Sequence, residues 1–367
     1  MKIKAFIRSL LVVVSLSTFI EVTSIKQSVF PPPAINQNWI PEATPLASYP
    51  ISSSLTAPQI SLMFTGDINL GRCVASTTIR RDDFTFPFQF VAEKLKSADI
   101  TIGSLDSTIS NETDSMPCPE SMNLIGPQRM VEGLQFAGFD IVTIATNHIK
   151  DCGEKGFDCQ GRAFFDTLAN LRASSITPVG GGNTLTESRL PVVVEVKGIR
   201  FAFLAVNQID ERVWATESSP GTAPLSQNMI EQIKQDVSSA KTVADVVIVL
   251  PHWGIEYADV PEEYQRSWAQ EFLNAGATLV VGNHPHIVQP AEAFSNGVAF
   301  YALGNFVFDQ GHNFRREGIV VQATFNGSQL ASWNLEPVSI NYYTYQPSWV
   351  DGSEGHKIIG RATALDQ

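Results

Sequence analysis

The chain has 367 residues, of which 44% are hydrophobic, so it can bury the core of one large domain or of two average ones. Its formal net charge is −12 at pH 7, and beyond the first ten residues it has no run rich in lysine or arginine. This charge argues against nucleic acid as the main partner, because binding to nucleic acid requires a concentration of positive charge.

The N-terminus has the pattern of an export signal. Lys2, Lys4 and Arg8 accompany a mostly apolar stretch at 9–20, which is shorter than the roughly 20 residues that cross a bilayer. We therefore expect an exported, extracytoplasmic protein. Residues 1–24 would be either a signal peptide, giving a secreted protein, or an anchor that tethers the protein to the membrane. A buried amphipathic helix of the fold is the alternative.

The composition predicts three further parts. Residues 25–59 are rich in proline and serine, which favours an extended linker, because proline lacks the N–H that helices and sheets need. A single domain is expected over 60–345. Residues 346–367 read as a polar C-terminal tail, with His356 exposed to solvent.

The four cysteines are consistent with export, since oxidising compartments permit disulfides. They are Cys73, Cys118, Cys152 and Cys159, and they allow three pairings. We favour Cys152–Cys159 because it closes a short loop, which leaves Cys73–Cys118. Four free thiols remain an alternative, and a zinc site is disfavoured because no Cys-x-x-Cys occurs.

Apolar runs alternate with amphipathic segments along the predicted domain. Strands are predicted at 60–64, 99–103, 140–145, 192–196, 200–206, 246–250, 278–281 and 298–303, and antiparallel strands over 317–345. Helices are predicted at 86–97, 127–137, 154–172, 228–243 and 262–275. Alternation of strands and helices is typical of an α/β sandwich with mainly parallel strands.

Side chains able to bind a metal follow several of these strands. They are Asp67, Asp106, Asn147, His148, His252, His284 and His286. Since the carboxyl ends of parallel strands lie at one edge of a sheet, we expect these side chains to meet there. Each taken alone has a structural interpretation as a turn residue, a helix cap or a satisfied interior histidine.

The donor set favours two divalent metal ions. Seven such groups exceed the four ligands of one zinc, and imidazole, carboxylate and amide donors suit zinc, iron or manganese. Asp106 is our candidate for a bridging carboxylate. A pair of ions would clamp a phosphoryl group and activate water. Asn69 and Glu256 are weaker candidate ligands, and His312 lies in a polar loop that could line the cleft.

Five segments resemble the CapA family of poly-γ-glutamate capsule biosynthesis proteins, which is itself similar to the calcineurin-like metallophosphoesterases. The segments are Phe-Thr-Gly-Asp-Ile-Asn (64–69), Ala-Thr-Asn-His (145–148), His-Trp-Gly-Ile-Glu-Tyr (252–257), Gly-Asn-His-Pro-His-Ile-Val-Gln-Pro (282–290) and Tyr-Ala-Leu-Gly-Asn-Phe-Val-Phe-Asp (301–309). They occur in order and span nearly the whole predicted domain.

The resemblance implies a four-layer αββα sandwich with a metal site at one edge. It places Asp67, Asn69 and His286 at one metal ion and Asn147, His252 and His284 at the other, with Asp106 between them. It makes His148 the histidine that protonates the leaving oxygen. The segment 301–309 would pack the sheet edge beneath the site.

Two positions depart from the family pattern. The family usually has Asn-Leu-Glu where this chain has Ser104, Leu105 and Asp106, so the bridging side chain is one methylene shorter. Asn283 replaces the first histidine of a Gly-His-His-Pro-His motif. Both departures bear on catalysis more than on the fold.

Two classes of function follow. The first is a metal-dependent hydrolase that acts on a phosphoester or on an anionic envelope polymer, with Asp106 and His148 at the reaction centre. The second is a non-catalytic envelope component that assists assembly or export of an anionic polymer such as poly-γ-glutamate, within a membrane-associated synthesis complex. Retention of so many metal donors favours the enzyme.

Overall fold

The computed structural model describes residues 57–111, 118, 123–152, 156–157, 159–311 and 313–363. The predicted signal or anchor, nearly all of the predicted linker and His312 lie outside these residues. Residues 55–367 belong to one compact unit. Among the described residues, every helix is too short or too polar to traverse a lipid bilayer.

Fourteen strands build the two large sheets of the described chain. In order they are β1 (Gln59–Ile68), β2 (Ile100–Leu105), β3 (Ile141–Thr143), β4 (Thr177–Val179), β5 (Val192–Val196), β6 (Ile199–Asn207), β7 (Val246–His252), β8 (Leu279–Val281), β9 (Ala291–Phe294), β10 (Gly297–Phe300), β11 (Asn305–Val307), β12 (Glu317–Asn326), β13 (Gln329–Ile340) and β14 (Pro347–Trp349). Three two-residue pairs lie outside these sheets: Thr108–Ile109 with Ile125–Gly126, Asp151–Cys152 with Gly156–Phe157, and Gly181–Gly182 with Gly221–Thr222.

The first sheet has the order β14-β13-β12-β1-β2-β3-β4, and β11 also pairs with β1. Strands β1 to β4 run parallel, whereas β12 to β14 extend the sheet in antiparallel fashion. The second sheet has the order β5-β6-β7-β8-β10-β9, with parallel strands at its centre and an antiparallel strand at each edge.

Eight α-helices accompany the sheets in the described chain: α1 (Arg72–Arg81), α2 (Ala92–Leu95), α3 (Val131–Ala137), α4 (Arg162–Ala173), α5 (Leu185–Ser188), α6 (Ile230–Val243), α7 (Glu263–Asn274) and α8 (Gly352–Ala362). Single turns of 3-10 helix lie at Phe86–Phe88, Gln128–Met130, Cys159–Gly161, Glu211–Val213, Gln227–Met229 and Asn313–Arg316. Helix α7 starts with a capping box formed by Glu262 and Gln265.

Three apolar cores separate four layers, which confirms the predicted αββα sandwich. Phe64 of β1 and Phe201 of β6 pack in the core between the two sheets, together with Phe325. Met63, one residue earlier on β1, faces the opposite core under helices α1 to α4. The third core lies between the second sheet and helices α6 and α7, around Trp253. Strands buried on both faces explain the continuous apolar runs of the sequence.

The structure differs from the predicted elements in several places, and the helix predicted at 154–172 begins only at Arg162. Helix α1 was not predicted, because Arg72–Arg81 is mostly polar and has an apolar side too narrow to show a clear helical period. The helix predicted at 86–97 shortens to one 3-10 turn and α2. Residues 346–367, predicted as a polar tail, contribute strand β14 and helix α8, whose Ile358 is fully buried.

A break in β1 shapes the edge where the predicted site lies. The pairing of β1 with β2 shifts register between Phe64 and Asp67. At Gly66 a Cβ atom would lie 2.0 Å from the carbonyl oxygen of Gly304, so only glycine permits this approach. The close approach lets β11 pair with the end of β1, which puts Asn305 beside Asp67.

Candidate metal centre

The structure brings the strand-end residues of both sheets to one buried edge. In the first sheet, Asp67 lies near the end of β1 and Asp106 directly follows the neighbouring strand β2. In the second sheet, His252 ends β7 and His286 lies beyond the neighbouring strand β8. All four are at most 2% exposed. The carboxylates and imidazoles therefore face one another from opposite sheets, as the placement of strand ends predicts.

Asp67 is held by two donors. Its Oδ1 accepts a hydrogen bond from the Ser104 hydroxyl at 2.8 Å, and its Oδ2 accepts one from the backbone N–H of His284 at 3.1 Å. Burial, and then the nearby Asp106, raise the pKa of the Asp67 carboxyl well above its ordinary value. A buried carboxylate held in this way is stable only if positive charge compensates it.

Asp106 has no such donors. Neither of its carboxylate oxygens receives a hydrogen bond from the described residues, although both are fully buried. Its Oδ1 lies 3.7 Å from Nε2 of His252, and its Oδ2 lies 3.9 Å from Nε2 of His286. Burial raises the pKa of the Asp106 carboxyl to about 6. Two unpartnered carboxylate oxygens between two imidazoles indicate a place where a cation could bind.

His252 contacts the side-chain oxygen of Asn147. Its Nε2 lies 2.8 Å from Oδ1 of Asn147, while its Nδ1 has no hydrogen-bond partner among the described residues. Burial lowers the pKa of His252 well below its ordinary value, so the ring is neutral. Neutral imidazole is the form that binds metals.

The two histidines of the His-Pro-His turn occupy an unusual backbone conformation. His284 has φ 104° and His286 has φ 60°, in the left-handed region that favours glycine. For residues other than glycine such backbone angles cost on the order of 1–3 kcal/mol. Residues strained in this way cluster at functional sites. Burial lowers the pKa of His284 to about 3, and its Nδ1 lacks a partner within the described chain.

His286 is oriented by Asn305. The ring Nδ1 lies 2.9 Å from Oδ1 of Asn305, and the Asn305 amide donates to the backbone oxygen of Arg315 at 2.8 Å. The amide thus directs its oxygen at His286, so Nδ1 carries the proton and Nε2 remains free to bind a cation near Asp106. Metal-binding histidines commonly have such a partner on the other ring nitrogen.

His148 is paired with Asp151 instead. Its Nδ1 lies 2.6 Å from Oδ2 of Asp151, which also accepts the backbone N–H of Leu124 at 2.6 Å. Burial opposes protonation of His148, but Asp106 and Asp151 together raise its pKa to about 9. At neutral pH the ring is an imidazolium that can give up a proton.

The Asn69 side chain is turned toward a different cluster. Its oxygen accepts the backbone N–H of Gly71 at 2.8 Å, and its amide nitrogen donates to Asp309 at 3.2 Å. Asp309 also pairs with the Arg72 guanidinium and accepts the backbone N–H of Cys73 at 3.1 Å. One lone pair of the Asn69 oxygen is therefore already used by the backbone. The role of Asn69 as a metal ligand stays a prediction.

The donors fit divalent metal ions, although they do not form a complete coordination sphere. Within the part of the chain that the structure describes, no three histidine, cysteine or carboxylate side chains are already arranged around one point. His252 Nε2 with Asn147 and Asp106, and His286 Nε2 with Asp106, nevertheless lie 2.8–3.9 Å apart, and two ligands at about 2.1 Å from one ion are roughly 3 to 3.5 Å apart. The unpartnered atoms of Asp106, His252 and His284 point to the same conclusion.

A cleft of about 640 Å³ opens from this edge to solvent. His148, Glu256 and His286 lie on its inner wall. The outer wall is cationic and aromatic, formed by Arg72, Tyr257, Phe308, Arg315, Tyr342, Tyr343 and Tyr345, and the paired Cys73 and Cys118 lie at its border. Glu256 Oε1 is 3.9 Å from Nε2 of His286.

Both predicted disulfides are present, which confirms the pairing by loop length. Cys73 pairs with Cys118, and Cys152 pairs with Cys159. The second bridge begins one residue after Asp151, the partner of His148. Cysteine spacing suggested this bridge, but its proximity to the site appears only in three dimensions.

Sequence reasoning missed three residues that support the site: Asn305, Asp151 and Asp309. Asn305 and Asp309 belong to the segment 301–309, whose predicted role was packing. Two polar residues within an otherwise apolar run were the available indication, because buried polar side chains need hydrogen-bond partners. Asp151, three residues after His148, had no distinctive pattern.

Comparison with known proteins agrees with the sequence segments. Residues 61–310 match the family described as bacterial capsule synthesis protein PGA_cap. The PGA biosynthesis protein CapA of Bacillus subtilis is 29% identical over 306 residues, covering 83% of this chain and 78% of that protein. The capsule biosynthesis protein CapA of Bacillus anthracis is 28% identical over 293 residues, covering 79% and 69%.

Among solved structures, a phosphatase from Mycoplasma pneumoniae is similar over 79% of this chain and 96% of its own, with a TM-score of 0.48 and 12% identity. A 5'-nucleotidase from Candida albicans is similar over 84% of this chain and 58% of its own, with a TM-score of 0.46 and 15% identity.

The match to the family of bacterial capsule synthesis proteins covers most of the chain. The protein is therefore a member of the CapA-type bacterial capsule synthesis family.

Proposed function

We propose that this protein is a metal-dependent hydrolase that acts during synthesis of an anionic capsule or envelope polymer. The observation that carries the proposal is Asp106, a fully buried carboxylate with two unpartnered oxygens between His252 and His286. Such a group is costly unless it binds a cation. Retention of this arrangement therefore favours a site that binds divalent ions over an inert scaffold.

The residues divide the work. Asp67, Asp106, Asn147, His252, His284 and His286 would hold two divalent ions of the manganese, iron or zinc type. When bound, such ions polarise the scissile bond and make water a better nucleophile at neutral pH. The neutral imidazoles and buried carboxylates of this chain would hold that positive charge in a preorganised, dry environment, where it is most effective at stabilising developing negative charge.

His148 supplies the proton. Asp151 accepts from Nδ1, so the protonated Nε2 is directed away from Asp151, and His148 lines the cleft. An imidazolium there can donate to the leaving oxygen as the scissile bond breaks. Asp151 both favours the charged ring and fixes its orientation.

The process in which this chemistry serves follows from the relatives. The Bacillus subtilis and Bacillus anthracis proteins are named for poly-γ-glutamate and capsule biosynthesis, respectively. We infer the same process for this chain, with an anionic envelope polymer or a phosphoester as substrate and a membrane-associated synthesis complex as its setting. The two disulfides agree with an extracytoplasmic location, since reducing compartments disfavour them.

Metal content combined with turnover tests the proposal. Protein purified without chelators should contain close to two equivalents of a divalent metal, and it should hydrolyse phosphodiester or phosphomonoester model substrates. His284→Ala and Asp106→Asn should each lower both metal content and rate, whereas His356→Ala, on the exposed face of α8, should change neither. Metal-free protein that stays inert with every added ion would refute the enzyme and favour the non-catalytic role.

Export is tested separately by fractionation. Full-length protein should be found outside the cytoplasm, either released or with the membrane. Recovery of full-length protein only from the cytosol would contradict the predicted role of residues 1–24.

A further inference from the structure

One arginine on the wall of the cleft forms no ion pair with any described carboxylate. Within the described residues, Arg315 forms no ion pair, and its guanidinium lies 3.4 Å from the centre of the Tyr257 ring. Arg72, on the same cleft, is neutralised by Asp309. A guanidinium stacked on an aromatic ring keeps one planar face occupied, while the N–H groups at its edge remain able to bind an oxyanion.

The stack is tied to the candidate metal centre by its backbone. The N–H of Tyr257 donates to the carbonyl oxygen of Pro285 at 2.9 Å, within the His-Pro-His turn. The carbonyl oxygen of Arg315 accepts from the amide of Asn305, which orients His286. The Tyr257 and His286 ring centres are 6.2 Å apart. The residues that form the candidate metal centre thus also position Arg315 and Tyr257, and the Tyr257 ring lies next to that of His286.

Tyr342 and Tyr343 extend this wall to the solvent. They are 50% and 79% exposed, and their rings meet edge to face at 5.0 Å. Large aromatic side chains are usually buried, and two adjacent exposed ones at the mouth of a cleft indicate a contact surface. Gln310, which also lines the cleft, donates a hydrogen bond to the Tyr257 hydroxyl at 3.4 Å.

We propose that Arg315, stacked on Tyr257, binds an oxyanion of the substrate next to the scissile bond, and that Tyr342 and Tyr343 contact the chain beyond it. The ligand is an extended chain with repeated carboxylate or phosphate groups. This inference rests on the proposed function for its scissile bond, but binding through Arg315 does not require turnover. It makes Arg315 a specificity-determining residue and not a metal ligand.

Binding measurements test the subsite directly. Titration calorimetry would use the full chain with γ-linked glutamate oligomers, with inorganic polyphosphate of similar length, and with γ-linked isoglutamine oligomers, whose α-carboxylates are amidated, as the neutral probe. We expect one anionic oligomer to bind and the neutral one not to bind, and the preferred anion identifies carboxylate or phosphate. Arg315→Met should weaken that binding about tenfold to hundredfold, as expected for loss of a charged hydrogen bond.

Matched variants separate this role from a structural one. Arg200→Met removes another arginine, which lies at the end of β6 opposite to the candidate metal centre. This variant should bind the anionic oligomer as the wild type does. Arg315→Lys should recover part of the affinity, and metal content should stay constant in all variants. Equal binding by Arg315→Met and wild type, or no binding of either anion by the wild type, would overturn the inference. Binding that depends on Arg315 without any turnover would support it and count against the hydrolase instead.

Discussion

The Nδ1 atom of His286 lies 2.9 Å from the side-chain oxygen of Asn305, a residue 19 positions later in the chain. Asn305 pairs in register with Asp67, so one contact connects the ends of both sheets. The amide of Asn305 is itself held by the carbonyl oxygen of Arg315. The ring of His286 therefore has a defined tautomer and orientation before any ligand arrives.

Replacing Asn305 should weaken metal binding. In Asn305→Ala the His286 ring loses its orienting acceptor, and loss of such partners commonly costs 10- to 100-fold in metal affinity. Competition with a chromogenic chelator would measure the change. Asn296→Ala, on an exposed turn, is the control and should bind metal normally. Unchanged affinity in Asn305→Ala would show that His286 is not a ligand.

Asp106→Asn should stabilise the metal-free protein at pH 8. Burial raises the pKa of Asp106 from 3.8 to about 6, so its stabilising contribution is complete below pH 3.8 and is lost as pH rises through about 6. The ionised side chain thus costs on the order of 3 kcal/mol. Denaturant unfolding in chelator should show a gain for Asp106→Asn at pH 8 that disappears near pH 4.

Metal should reverse this order, because only the wild type offers the carboxylate to a cation. Thermal unfolding with added manganese or zinc should raise the midpoint of the wild type more than that of Asp106→Asn. Asp259→Asn, in an exposed loop, is the matched control. A metal-free Asp106→Asn protein that is less stable than wild type at pH 8 would contradict the cation interpretation.

Asp151→Asn should shift the basic limb of the pH–rate profile. Burial opposes protonation of His148, but Asp151 raises its pKa, so activity on substrates with poor leaving groups should fall where alkaline pH removes the proton of the ring. Asparagine keeps an acceptor for the Leu124 N–H but removes the charge, which moves this fall to lower pH. Asp245→Asn, which alters a distant exposed ion pair, should leave the profile in place.

Substrates with good leaving groups need little protonation, so they should show a much weaker dependence on Asp151. Rates for nitrophenyl and alkyl phosphodiesters across pH 6–10 would make the comparison. Equal sensitivity of both substrates would assign His148 a role other than proton donor.

Ile358→Ala should destabilise the whole domain. Ile358 is fully buried in the core between the sheets, and truncation of such a side chain typically costs 2–5 kcal/mol. Ile359→Ala, one residue further on the same helix and half-buried, is the control and should cost clearly less. Urea unfolding would measure both. Similar small losses would mean that α8 does not contribute to the core.

The fold class and most of the site could be predicted from sequence for a physical reason. Parallel strands buried on both faces require continuous apolar runs, and the residues just after them share one edge of the sheet. Asp67, Asp106, His252 and His286 were identified in this way and do lie together. The short loop between Cys152 and Cys159 was predictable because it is local in sequence.

Elements without a strong apolar period were beyond prediction. Helix α1 is mostly polar, and its place follows from packing against the first sheet and not from its own pattern. The segment after 345 reads as polar because α8 exposes most of its surface. Only a few side chains of α8, Ile358 among them, enter the core. Lys357 and Arg361 of the same helix form ion pairs with Glu317.

The sequence by itself therefore determined the α/β class, the strand-end positions of the candidate metal donors and the Cys152–Cys159 pairing, because each depends on local period or spacing. Only the tertiary structure decided the neighbours of those donors: Asn305 at His286, Asp151 at His148, and Arg315 stacked on Tyr257 beside the cleft. Such contacts join segments from different strands and loops, and hydrogen bonds between them depend on distances that no pattern along one chain encodes.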